Sequence, residues 1–231
     1  MRTLVVGLPL PHVSFDNYSF VSAPAFSEYA RLIVQTDAVS KTVENIVASE
    51  GEHRTFAGQP ITNGPSTAEA FSLLELLEMR RRETEWFLAR GGVIALFAHP
   101  DVAHPSIAPT CGWRRYAWLP APQGFRYDEH LLPGFGTPGA DLIDPDHPFA
   151  PYITGLSNRI AYRATVDEQA PNFNEYARVF ARSHGGAAIG VELTIAAGKV
   201  VLLPPLIDAG SDRSLIAQTL HACFERYEHR P

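Results

Sequence analysis

The stretch GGVIALFAHPDVAHPSIAPTCGW, residues 91–113, places His99, Asp101, His104 and Cys111 directly after an apolar run. Imidazole and carboxylate groups are the donors that suit Zn²⁺ or another divalent ion, so a loop folding His99, Asp101 and His104 together could hold one. The spacing His-x-Asp-x-x-His has no fixed mechanical meaning, however, because side chains in a loop need not converge as two histidines at i and i+4 on a helix do. The plainer reading, which the sequence favours, has His99 closing a strand end by hydrogen bonding and His104-Pro105 forming a turn. Cys111 would serve as a nucleophile if a histidine lowered its thiol pKa. His12, His99, His104, His130 and His147 all qualify as bases by type, and the sequence does not choose among them. A small buried thiol is the favoured alternative. Cys223 falls on the apolar face of a helix and reads as core.

Three further groups could do chemistry. Asp16 and Asn17, in HVSFDNYSF, follow the first apolar segment and could orient a ligand's hydroxyl or amine groups. Asx residues equally cap local turns. CGWRRYAWLP gathers Trp113, Arg114, Arg115, Tyr116 and Trp118. Aromatics interleaved with arginines stack nucleic-acid bases or form protein-interface hot spots. An edge strand with alternating core and surface residues is the simplest reading of that segment. Asp141, Asp144, Asp146 and His147 could do acid–base work or hold Mg²⁺ or Ca²⁺. The flanking Pro145 and Pro148 instead suggest water-exposed turns. The sequence contains no Gly-x-x-x-x-Gly-Lys-Ser/Thr loop, and GFGTPGA (134–140) lacks the strand-before, helix-after context of a dinucleotide fingerprint.

These residues need a scaffold, and the totals bound it. With 231 residues the chain fits one sizeable α/β domain spanning 1–231. A net charge of −6 argues against nucleic acid as the main partner, since phosphate binding needs a basic face. The only tight basic cluster is Arg80-Arg81-Arg82, after Met79. Two cysteines are too few for a disulfide framework, and neither has zinc-site spacing. No apolar run approaches the ~20 residues of a membrane span. The first twenty residues, broken by Pro9 and Pro11, do not read as a secretory signal. A cytoplasmic, reduced protein without membrane association is the expectation.

The patterning predicts strands at 3–11, 29–36 and 92–98, the last buried on both faces as in a parallel sheet. Asp37 and Ser40 are placed to cap a helix over 40–50. A small hairpin is expected within 53–66. Ser66-Thr67-Ala68-Glu69 is a capping box opening a long helix that Gly91 terminates. Residues 99–160 read as an irregular, proline-rich insertion with short strands at 116–120 and 141–145. A helix over 174–186, a hairpin over 187–205 and a last helix from Ser211 or Asp212 complete the chain. Alternating strands and helices imply a doubly wound sheet, with ligands beyond the carboxyl ends of its strands.

The segments FLARGGVIALFAH, DPDHPFAPYITGL and HGGAAIGVELTIAAGKVVLLPP, with this element order, resemble the class I glutamine-amidotransferase-like superfamily and, within it, the ThuA-like proteins. The resemblance implies a flavodoxin-like three-layer sandwich with a mainly parallel central sheet and a late β-hairpin. Glutaminase members of that superfamily carry a nucleophilic cysteine in a Gly-x-Cys-x-Gly elbow directly after a central strand. Here His99-Pro100-Asp101 stands at that place, and Cys111 lies well downstream as Thr110-Cys111-Gly112. The expected function is therefore a non-catalytic domain within a larger assembly, binding a partner protein, a second copy or a small ligand. Its ligand-binding candidates are Asp16, Asn17, His99, Trp113 and Arg114. The competing expectation is a hydrolase using His99, Asp101 and Cys111, with a divalent metal on His99, Asp101 and His104. Otherwise no cofactor is expected.

Overall fold

The computed structural model describes residues 2–40, 42, 53–56, 59–62, 67–101, 114–134, 139–206 and 212–228. Four apolar segments lie side by side in parallel: β1 (Thr3–Val6), β3 (Arg31–Gln35), β6 (Val93–Phe97) and β12 (Gly198–Leu203). A short strand, β2 (Phe15–Tyr18), pairs in parallel with the free side of β1. Beyond β12 the sheet turns antiparallel through β11 (Ala188–Ile195), β10 (Ala177–Arg182) and the two-residue β8 (Asp141–Leu142). The ten-stranded order is β2-β1-β3-β6-β12-β11-β10-β8. Off this path, β9 (Ala164–Val166) pairs with β11 and with β7 (Leu131–Pro133). The sheet is thus mixed, where the apolar strands alone predict a mainly parallel one. A separate hairpin joins β4 (His53–Phe56) to β5 (Gln59–Thr62), within the expected excursion.

The register explains why these strands are apolar throughout. Val6, Val34, Leu96 and Leu202 align across the sheet and enter one hydrophobic cluster. Their neighbours Val5, Ile33, Ala95 and Val201 align on the opposite face and enter the other. Successive side chains point to opposite faces, so a sheet covered on both sides needs apolar residues at every position. The first cluster is covered by α1 (Thr67–Ala89), through Leu73, Leu77, Phe87 and Leu88. The second is covered by α2 (Ala150–Leu156) and α3 (Arg213–Glu228), including Cys223, which is fully buried as core. Burial pushes the Cys223 thiol up to about 12, so it is unreactive in the folded chain.

Several sequence expectations need correction. The segment after Phe173 makes one helical turn, to Tyr176, and then becomes β10 rather than a helix to residue 186. Pairing with β11 and β8 overrides the local helical spacing there. Residues 116–120 form no strand. Ala117 N donates to Arg114 O and Leu119 N to Tyr116 O, giving consecutive turns. Trp118 is fully buried and packs edge-on against Phe20 and Phe26. The chain is helical at 36–40, starting one residue before the predicted cap. Thr42 continues this helix, its hydroxyl donating to Ala38 O at 2.9 Å, while residues 43–50 and the Ser66 cap of α1 lie outside the described residues.

Candidate functional site

The carboxyl ends of β1, β3, β6 and β12 converge where the chain leaves the sheet at Gly7, Thr36, Ala98 and Pro204. Gly7 has φ +81, and a Cβ there would sit 2.1 Å from the Cβ of Ala38. Glycine is therefore what lets the helical segment at 36–40 close over the end of β1. Leu8, Gln35, Phe97, Pro205 and Leu206 line a narrow pocket of about 20 Å³ between these ends, room for a single ordered water.

Polar groups gather beside this pocket. The buried Thr36 hydroxyl donates to the Phe97 carbonyl at 2.6 Å and lies 3.1 Å from His99 Nδ1, which is itself 3.3 Å from the same carbonyl. A carbonyl oxygen only accepts, and the threonine proton is already committed to it. Nδ1 therefore carries the ring proton, and Nε2 keeps its lone pair. His99 Nε2 makes no hydrogen bond to the described residues. Burial pulls the His99 pKa below its ordinary value, with the Phe97 carbonyl opposing, so the ring is neutral at neutral pH.

The segment 114–116 fixes the backbone around this histidine. Tyr116 Oη accepts from His99 N at 3.1 Å and donates to His99 O at 2.6 Å. Tyr116 is buried and stacks on Tyr127. Arg115 N donates to Asp101 Oδ1 at 2.8 Å, and Arg115 Nε donates to Ser40 Oγ at 3.0 Å. A second Arg115 nitrogen lies 4.0 Å from Asp37 Oδ1. Burial pushes the Asp101 carboxyl up to about 6, against the Arg115 amide and the two arginine charges. A neutral imidazole, a carboxyl titrating near neutrality and a guanidinium thus share one end of the sheet. Such a set can accept a hydrogen bond, exchange a proton and neutralise an anion.

The 114–116 turn contacts both the His99 backbone and the Asp101 carboxylate, and the other candidates lie elsewhere. Asp16 lies in the edge strand β2, three strands from β6, roughly 14 Å at the usual strand spacing. It pairs with Arg2 and accepts from Tyr29 Oη at 3.1 Å. Asn17 accepts from Leu10 N at 2.7 Å and donates to Leu10 O at 3.0 Å, bracing the 7–14 loop. Both lie in a strand rather than in the loop after β1. Arg114 is half-exposed and 3.9 Å from Asp128. Tyr116 and Trp118 are core, so they contribute no exposed aromatic patch. His104, Cys111 and Trp113 lie outside the described residues. Asp141 contacts His184, Asp144 pairs with Arg178, and His147 is buried against Glu192. Among the described residues no group of three His, Cys, Asp or Glu side chains is arranged to hold a metal ion.

Sequence reasoning missed Thr36 as the partner of His99, and the His147–Glu192 pair. Glu192 did leave a signal, as the lone charge within the apolar run AIGVELTI.

No family model matches the chain. No curated protein matches it either. Among solved structures, a cytoplasmic protein from Salmonella typhimurium is similar at 12% identity, over 98% of this chain and 98% of that one, with a TM-score of 0.45. A Thermoplasma acidophilum protein, provisionally assigned to GMP synthase, is similar at 11% identity, over 99% of this chain and 96% of that one, with a TM-score of 0.41. Likeness of this degree leaves the architecture to be read from the strand order itself. That order is α/β with a large mixed sheet, and among the described residues no helix is long and apolar enough to cross a membrane.

Proposed function

We propose that the chain is a cytoplasmic glutamine-amidotransferase-like domain of flavodoxin-like architecture, ThuA-like in type, that binds a small polar ligand in the carboxyl-end crevice without glutamine hydrolysis. The observation that carries this reading is His99. It occupies the place of the family's cysteine elbow, and Thr36 and the Phe97 carbonyl hold it as a neutral acceptor. The parallel strands β2-β1-β3-β6-β12 follow the doubly wound order 2-1-3-4-5, whose switch point between β1 and β3 is where such sheets bind ligands. Leu8 and Gln35, which line the narrow pocket, follow β1 and end β3, so the pocket marks the switch point and a ligand larger than water would lie over its mouth. A partner protein is a second occupant of this reading; in the 114–118 segment Tyr116 and Trp118 are buried, which leaves the half-exposed Arg114 as the side chain there for it to meet.

One specific observation favours the hydrolase alternative. A neutral histidine with a fixed tautomer, whose Nε2 makes no hydrogen bond to the described residues, is poised as a general base. Incubation with L-glutamine and a thermal-shift screen of small polar compounds test both readings. The expected result is no ammonia release, together with at least one compound that raises the melting temperature of the wild type and not of His99→Ala. Ammonia release abolished by Cys111→Ala would overturn the non-catalytic reading. Turnover of a screened compound, lost in His99→Ala, would install the hydrolase.

A further inference from the structure

His147 lies on the opposite face of the sheet from α1 and is fully buried. Its ring stacks on Phe180, 3.9 Å between centroids and 2° from parallel. Phe149 N donates to His147 Nδ1 at 3.1 Å, so Nδ1 is unprotonated and Nε2–H donates to Glu192 Oε2, also at 3.1 Å. Glu192, on β11, is buried too; Tyr227 of α3 donates to the same Oε2, and Lys199 Nζ of β12 lies 3.3 Å from Oε1. Arg178 of β10 and Asp144 of the same loop pair with one another beside the ring. The only place His147 can take a second proton is Nδ1, where the Phe149 amide already points its hydrogen.

Phe149 immediately precedes α2, and α2 reaches the crevice. Tyr152 Oη donates to Pro204 O at 2.6 Å, and just past α2 Ala161 N donates to Pro205 O at 2.9 Å. Ile160 bridges to Leu206. Pro205 and Leu206 are pocket-lining residues.

We propose that His147 is an acid-operated latch: a proton taken at Nδ1 displaces the Phe149 amide, frees residues 144–156 from the sheet and loosens the crevice wall at 204–206. Burial holds the His147 pKa below its ordinary value, with the Glu192 hydrogen bond and charge pulling the other way and Arg178 adding to the burial effect. The latch is therefore shut at neutral pH and opens below the usual histidine range. Its existence does not depend on what the crevice binds; only its effect on the wall rests on the site proposed above.

Hydrogen exchange at about pH 7.5 and about pH 5, with labelling times scaled for intrinsic rates, reads the latch directly. Exchange in 144–156 is expected to accelerate about tenfold beyond the scaling at the lower pH, with the Ala161 and Leu206 amides at the wall following and β1 and β3 unchanged. His147→Asn keeps an oxygen near the Nδ1 position to accept from Phe149 but cannot take the proton, so it should exchange alike at both values. Equal scaled exchange in the wild type, or an acid response that persists in His147→Asn, overturns the latch. Opening of 144–156 with the Ala161 and Leu206 amides unchanged overturns its link to the crevice. Should the variant not fold, ¹⁵N imidazole resonances of the wild type decide instead: an unprotonated Nδ1 at neutral pH, titrating together with the opening, is expected, and a protonated Nδ1 there refutes it.

Discussion

Thr36 and His99 meet across adjacent strands, the threonine oxygen at the end of β3 lying 3.1 Å from the Nδ1 of a histidine two residues past β6. Because the same hydroxyl donates to the Phe97 carbonyl, one side chain both ties the strand ends and selects the histidine tautomer. Thr36→Val keeps the shape and removes both bonds. The fully buried site then loses about 1–3 kcal/mol through groups left short of partners, read as a lower urea midpoint. Thr36→Ser should recover most of the loss. A ¹⁵N spectrum of His99 unchanged in Thr36→Val would show that the threonine does not set the tautomer.

Asp101 gives a pH dependence of opposite sign to the usual carboxylate. Burial keeps its proton on up to about 6 in the folded chain, against 3.8 for an ordinary aspartate. Between those values the folded state binds the proton and the unfolded state does not. Stability from this group is therefore complete below the lower value, falls as pH rises through the window and is flat above it. Asp101→Asn retains an oxygen for the Arg115 amide and removes the charge. Its stability relative to wild type should rise from about pH 4 to about pH 6 and then hold steady. A difference that is constant across denaturant melts over this range would mean the carboxyl is not shifted upward.

What could be read in the sequence follows from how local its cause is. β1, β3, β6 and β12 announce themselves because burial on both faces demands continuous apolar runs. His99 is legible as a site residue because it directly follows one of those runs. Thr36 and Arg115 are not, since their roles depend on β3 lying beside β6 and on the 114–116 turns folding back onto both. Tyr116 and Trp118 alternate like an edge strand, yet their burial is decided by Tyr127, Phe20 and Phe26. Tyr176, Val179 and Phe180 have helical spacing, and pairing with the distant β11 and β8 makes the chain from Ala177 a strand. In each case a non-local contact outweighed the pattern.

Arg80 sits within the only basic cluster of the sequence, yet its role is structural. Its neighbours Arg81 and Arg82 are exposed and make i,i+4 pairs with Glu85 and Glu78. Arg80 is 2% exposed, and its guanidinium donates to the carbonyls of Phe20, Ala23 and Pro24 and pairs with Glu83 at 2.7 Å. It also lies 4.8 Å from the centroid of Phe26. One side chain on α1 thus holds the 20–26 loop that carries both aromatic partners of Trp118. Arg80→Ala leaves three carbonyls and a carboxylate without their donor and should cost about 3–5 kcal/mol. Arg80→Lys supplies a charge without the planar fork and should recover only part of that. Arg82→Ala, which breaks an exposed pair, should change stability by about 0.5 kcal/mol or less. Thermal melts and the near-ultraviolet signal of Trp118 measure all three, and an Arg80→Ala loss no greater than that of Arg82→Ala would remove Arg80 from the core of the fold.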